Sequence, residues 1–124
     1  MTVLVGYTKT AEGKAALRHG RAVAEWQRAP LSVFMLDDVR SDDDAALAEA
    51  VSAGANIVDR DSRDHHQAPE LLDTAAELDA EFIVIGIRSR SRVGKFLLGS
   101  DAQTIILGAR VPVLTVKGDD DDDH

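Results

Sequence analysis

Cysteine is absent from the 124 residues, which excludes a disulfide framework, a thiolate zinc site and a cysteine nucleophile. A metal would have to be held by histidine and carboxylates. Aromatic residues are scarce, at 4 % against an apolar fraction of 44 %, so Val, Ile, Leu and Ala must build the core. That palette suits a parallel sheet covered by helices. No apolar run approaches the roughly 20 residues of a membrane span, and the N-terminus lacks the basic segment, apolar stretch and cleavage site of a signal peptide. The expectation is a cytoplasmic protein with no membrane association.

Positive charge is also short, and the formal net charge is -8. Five of those negative charges are the run Asp119 to Asp123. A terminal run of this kind repels itself and buries nothing, so residues 119–124 are read as a disordered acidic tail, native or added, and residues 1–118 as one domain. The body that remains is only mildly acidic, which argues against nucleic acid as a general partner.

Strand-like and helix-like patterns alternate with no repeat and no long linker, the signature of successive βα units. Five strands and four helices are predicted. After a strand over 2–8, residues Gly13, Ala16, Leu17, Gly20, Val23 and Ala24 fall on one face of a helix, whose small residues allow close packing on a sheet. A second strand over 31–37 follows Pro30, and Ser41-Asp42-Asp43-Asp44 supplies an N-cap and acidic first turn to a helix with Leu47, Ala50, Val51 and Gly54 inward. Only Ile57 and Val58 mark a third strand near 56–60, which predicts a short edge strand. Pro69 suits the first turn of a third helix carrying Leu71, Ala75 and Leu78. The run Phe82-Ile83-Val84-Ile85 is apolar on both faces and belongs inside the sheet. Beyond Gly86 and a basic connection over 87–98, a fourth helix presents Ala102, Ile105, Ile106 and Ala109, ending near Gly108. Pro112 then precedes a fifth strand over 113–116.

The strongest local signal is Gly86-Ile87-Arg88-Ser89, nine further residues, then Gly99-Ser100 at a helix start. Glycine permits close backbone approach, and the first amides of a helix attract phosphate through hydrogen bonding and the macrodipole. The pattern lacks the Gly-Lys-Ser/Thr of a P-loop and the Gly-x-Gly-x-x-Gly of dinucleotide-binding folds. Two readings that need no ligand stand beside it. Ser100 with Gln103 makes a capping-box pattern, and Gly86 serves as a tight exit from a strand.

Other polar groups carry weaker signals. Arg88, Arg90, Arg92 and Lys95 can screen phosphates or dock an acidic protein partner, or simply form a solvated loop. Asp37-Asp38 is in the wrong place for a phosphoacceptor site, whose acidic pair belongs after the first strand, and reads as a strand end. His65-His66 are adjacent loop residues without a second cluster nearby, and His19 and His124 are no stronger, so no metal site is assigned. Nothing resembles a Ser-His-Asp triad or a paired-carboxylate hydrolase site, so no catalytic residue is assigned.

The spacing from Gly86 through Ser89 to Gly99-Ser100, together with Val111-Pro112-Val113-Leu114-Thr115-Val116 and the opening Val3-Leu4-Val5-Gly6-Tyr7-Thr8, resembles the universal stress protein family. The resemblance covers essentially the whole folded chain. It implies an α/β fold of the adenine nucleotide alpha hydrolase-like type, an open five-stranded parallel sheet of order 3-2-1-4-5 with helices on both faces. It also implies a homodimer joined through strand five and, in some members, ATP held between the ends of strands one and four; Asp101, beside Gly99-Ser100, would repel a triphosphate unless Mg²⁺ bridged them. The implied contacts are Gly6, Tyr7, Thr8, Leu36 on the adenine side, Ile85, Gly86, Arg88, Ser89, Gly99, Ser100 and Asp101.

Two positions depart from the family pattern. Ser89 occupies the second glycine of the motif, and Thr8 stands where ATP-binding members usually have Asp. Three functions follow. The first is a non-catalytic stress-response regulator that binds an adenine nucleotide and signals through conformation or its dimer. The second is a dimeric interaction module without tight ATP binding, and the third is a slow ATP hydrolase.

Overall fold

The computed structural model describes residues 2–36, 44–58, 67–87 and 99–118. Five parallel strands alternate with four helices: β1 (Thr2–Tyr7), α1 (Ala11–Gln27), β2 (Leu31–Met35), α2 (Ala45–Ser52), β3 (Asn56–Val58), α3 (Gln67–Glu77), β4 (Ala80–Ile87), α4 (Ser100–Gly108) and β5 (Val113–Lys117). The sheet order is β3-β2-β1-β4-β5, as the family resemblance implies. Every adjacent pair is parallel, with Val5 opposite Val33 on one side and Val84 on the other.

Side-chain alternation along the strands sorts the core into two layers. Val3, Val5, Tyr7, Val33 and Val84 face the layer that includes Ala16 and Leu17 of α1 and Ala50 of α2. Leu4, Phe34, Ile83 and Ile85 face the layer with Leu71 and Ala75 of α3 and Ala102 and Ile105 of α4. Burial on both sides explains why β4 reads as a continuous apolar run rather than an alternating one. As expected, β3 is a three-residue edge strand paired only with β2.

The inward face of α1 is the predicted one: Gly13, Ala16, Leu17, Gly20 and Ala24 are buried and Val23 is half-buried. Its small residues bring it hard against the sheet. A Cβ on Gly20 would collide with Cγ2 of Val5, and one on Gly13 with the carbonyl of Thr8.

Two helix starts differ from expectation. Of the four residues Ser41 to Asp44, Asp44 is the N-cap of α2, accepting from the Leu47 amide, and the first turn behind it holds no acid. Val51 is 47 % exposed and Gly54 is an exposed turn glycine at φ 108°, because this short helix turns Ala46, Leu47 and Ala50 inward. In α4 the N-cap is Gly99, with no side-chain cap. Ser100 is already helical, one position too late to form the capping box. Ala102 and Ile105 define the buried face of α4, leaving Ile106 at 36 % exposure.

Candidate functional site

In an open parallel sheet, ligands gather at the carboxyl edge where neighbouring strands send their connections in opposite directions. In this order that point lies between β1 and β4, whose paired ends are Gly6 and Ile85. Because β4, α4 and β5 form one crossover, the start of α4 returns to the same edge.

The segment after β1 is held by local hydrogen bonds. Thr10 caps α1 by accepting from the Gly13 amide at 3.0 Å, and its hydroxyl shares a 2.7 Å bond with that of Thr8. Next to it, the Tyr7 carbonyl accepts from the Leu36 amide at 2.8 Å, drawing the end of β2 alongside β1. The Tyr7 side chain points the other way, into the α1–α2 layer, where its hydroxyl donates to Oδ2 of Asp44 at 2.5 Å. Burial pushes the Asp44 carboxyl up. The Tyr7 hydroxyl, the Leu47 amide and the positive charges of Lys14 and Lys9 outweigh that effect and hold it below the ordinary value.

The residues singled out from the sequence fall into three groups. Gly6, Tyr7, Ile85 and Gly86 serve packing. A Cβ on Gly6 would come within 2.8 Å of Leu36 and 2.9 Å of Leu71, so glycine lets both leucines close over β1. At Gly86 the close approach that glycine allows is to the carbonyl of Glu12 in the first turn of α1. Tyr7 and Ile85 are fully buried.

Thr8 and Leu36 are half-buried, and Gly99, Ser100 and Asp101 are exposed. Nothing lies within 4 Å of a Cβ placed on Gly99. Among the described residues no side chain caps α4 at Gly99. Arg88, Ser89, Arg90, Arg92, Lys95, Asp37-Asp38 and His65-His66 lie outside the described residues, as does His124; His19 is exposed on α1.

Sequence reasoning missed two groups at this edge, Thr10 and the Tyr7–Asp44 pair. Thr10, three residues before Gly13 at the start of a helical pattern, was a readable cap signal. The pair was not readable, because its members sit 37 positions apart. Among the described residues no group of three His, Asp or Glu could hold a metal ion, and no helix is long and apolar enough to cross a membrane. Two cavities, of about 540 and 440 Å³, lie at the opposite edge of the sheet, beside the starts of β4 and β2.

The model of the universal stress protein family matches residues 35–117, from the end of β2 through β5. This chain belongs to that family. A universal stress protein of Mycolicibacterium smegmatis is 35 % identical over 93 % of the chain and 96 % of its own length. The structure of a universal stress protein from Archaeoglobus fulgidus is 29 % identical, with a TM-score of 0.68 over 94 % of this chain and 97 % of that one. A universal stress protein structure from the same organism in complex with dAMP is 26 % identical, with a TM-score of 0.61 over 94 % and 96 % of the two chains. The solved universal stress protein structures share the fold and its sheet order.

Proposed function

We propose that this universal stress protein is a cytoplasmic stress-response regulator that binds an adenine nucleotide, ATP among the candidates, at the carboxyl ends of β1 and β4. The observation that carries the reading is the open, uncapped start of α4 at Gly99, on the sheet edge where ligands of this architecture gather. The relative in complex with dAMP supports it.

Phosphate oxygens would take the amides that follow Gly99, with the Thr8 hydroxyl beside them and Leu36 offering an apolar surface to the base. Arg88 and Ser89 complete the proposed contacts from the sequence motif. Among the described residues no group of three His, Asp or Glu forms a cation site of its own, so Asp101 is the one carboxylate this reading sets beside the phosphates. Any Mg²⁺ would arrive on the phosphates. The proposed role is regulatory rather than catalytic: the nucleotide favours one arrangement of the molecule, and a partner reads it.

The same reading includes a homodimer through β5. Among the described residues this strand pairs only with β4, and Leu114 on it is 40 % exposed, so an edge with an apolar side chain is offered to a second copy. Calorimetric titration with ATP, AMP and dAMP tests the nucleotide. Saturable binding that Gly99→Val abolishes, with folding intact, is the expected result. Binding that Gly99→Val leaves unchanged removes the phosphate cradle.

A further inference from the structure

We infer that the groove between the carboxyl ends of α3 and α4 docks a peptide segment of a partner protein that carries a lysine or arginine beside apolar residues. The groove holds about 540 Å³, within the range of built binding pockets. Its floor is apolar, with Leu72, Ala75, Ile83 and Val111 in its lining. Here α3 and α4 meet closely, since a Cβ on Gly108 would lie 2.6 Å from Cδ1 of Leu72. The apolar lining of Leu72, Ala75, Ile83 and Val111 is more than a small cation would cover, which favours a peptide.

The rim is negative for two independent reasons. Asp73 and Asp79 line it with exposed carboxylates. Both helices also end here, and neither carries a basic residue in its last turn, so the partial negative charge of two helix C-termini is left for something else to balance. Arg110 is the single cation among the described residues of the lining. It is outnumbered by two carboxylates and two helix ends, and a ligand cation completes the balance. The groove lies at the edge of the sheet away from Gly99, so this proposal stands apart from the nucleotide reading.

The probe is a fluorescein-labelled hexapeptide, Leu-Lys-Leu-Leu-Arg-Leu, amidated at its C-terminus, titrated against the whole chain by anisotropy. Saturable binding is expected, weakening as salt rises. Asp73→Asn with Asp79→Asn should weaken it about fivefold. Asparagine keeps the positive φ of 56° at position 79, so folding survives, and a melting curve checks this. Arg110→Gln should tighten binding, which a merely structural role would not produce.

Several results overturn the proposal. They are absence of binding at millimolar protein, equal binding of a peptide with both cations replaced by norleucine, and indifference to the paired Asp substitutions. Displacement of the probe by ATP would put the peptide at the other edge and also overturns it. So does sedimentation in which the Asp substitutions change the oligomeric state while the peptide does not compete, since a second copy would then be the occupant.

Discussion

The Tyr7 hydroxyl donates a 2.5 Å hydrogen bond to Asp44, and the other oxygen of that carboxylate accepts from the Leu47 amide, so one buried side chain ties the end of β1 to the start of α2. A hydrogen bond to a charged group contributes about 1.5–3 kcal/mol, more than a neutral one, because a buried carboxylate that loses a donor keeps its desolvation cost. Tyr7→Phe should destabilise the fold by about that amount without changing the urea m-value. Asp44→Ala should cost at least as much, since it also removes the cap of α2. A double-mutant cycle on urea midpoints should return a coupling of at least about 1 kcal/mol. Additive effects would show that the pair is not a unit.

The same carboxylate sets a pH dependence. Its folded pKa lies below the ordinary value of 3.8, despite burial, because Tyr7, Leu47, Lys14 and Lys9 favour the charged form. The folded state therefore holds its proton less tightly than the unfolded state. The stability gained is fully present above the unfolded pKa and is lost as pH falls through the lowered folded pKa. Asp44→Asn keeps a capping oxygen but not the charge. The stability gap between wild type and Asp44→Asn should be constant above about pH 5 and shrink below about pH 4. Urea titrations across pH 3 to 7 would measure it, and a gap that widens in acid would contradict the assignment.

Much of the fold was legible because the physics that shapes it is local and periodic. The run Phe82-Ile83-Val84-Ile85 announced an interior strand, and Ile83, Val84 and Ile85 are buried on alternating faces. Gly13, Ala16 and Gly20 announced a helix able to approach the sheet closely. The sheet order itself came from the family resemblance rather than from periodicity. What stayed hidden depends on one residue's choice among equivalent neighbours. Four candidate caps stood in Ser41 to Asp44, and the pairing of Asp44 with Tyr7, 37 positions away, could not be read from sequence. At α4 a capping-box spelling lies one residue out of phase, which composition cannot reveal. The glycine of the motif at position 86 was readable as a close approach, but not as an approach by Glu12.

That approach gives a packing test. A methyl group on Gly86 would meet the backbone of α1 rather than a flexible side-chain end, so relief requires the helix to move. Gly86→Ala should cost about 1–3 kcal/mol or more, as overpacking does. Gly20→Ala, whose methyl meets a methyl of Val5, should fall at the lower end of that range. Thermal melts of the two variants would rank them, and an unperturbed Gly86→Ala would mean that α1 sits further from β4 than described.

The free edge of β5 predicts self-association. Leu114→Lys places a charge on an exposed apolar position of an edge strand, which natural sheets use to prevent edge pairing. Wild type should sediment as a dimer at micromolar concentration and Leu114→Lys as a monomer with an unchanged melting profile when dilute. A wild type that stays monomeric at high micromolar concentration would end the dimer proposal.

Gly99 offers the sharpest test of the nucleotide reading, because one substitution should move stability and binding in opposite directions. The position is exposed, has φ -68° and ψ 164°, and leaves open space for a side chain, so Gly99→Ser introduces no strain. Serine is a better N-cap than glycine by a few tenths of a kcal/mol, and Gly99→Ser should raise the melting temperature slightly. Its hydroxyl would occupy the amides proposed for phosphate, so the same variant should bind ATP or dAMP more weakly. Gly99→Val should block the approach outright. Arg88→Ala should weaken affinity about tenfold through loss of a charge-assisted contact, and Arg92→Ala, outside the sequence motif from Gly86 to Ser89, should do less. If Gly99→Ser binds nucleotide as tightly as wild type while melting higher, the amides of α4 are not the phosphate site. If neither wild type nor Ser89→Gly binds any adenine nucleotide, the chain acts through its dimer alone.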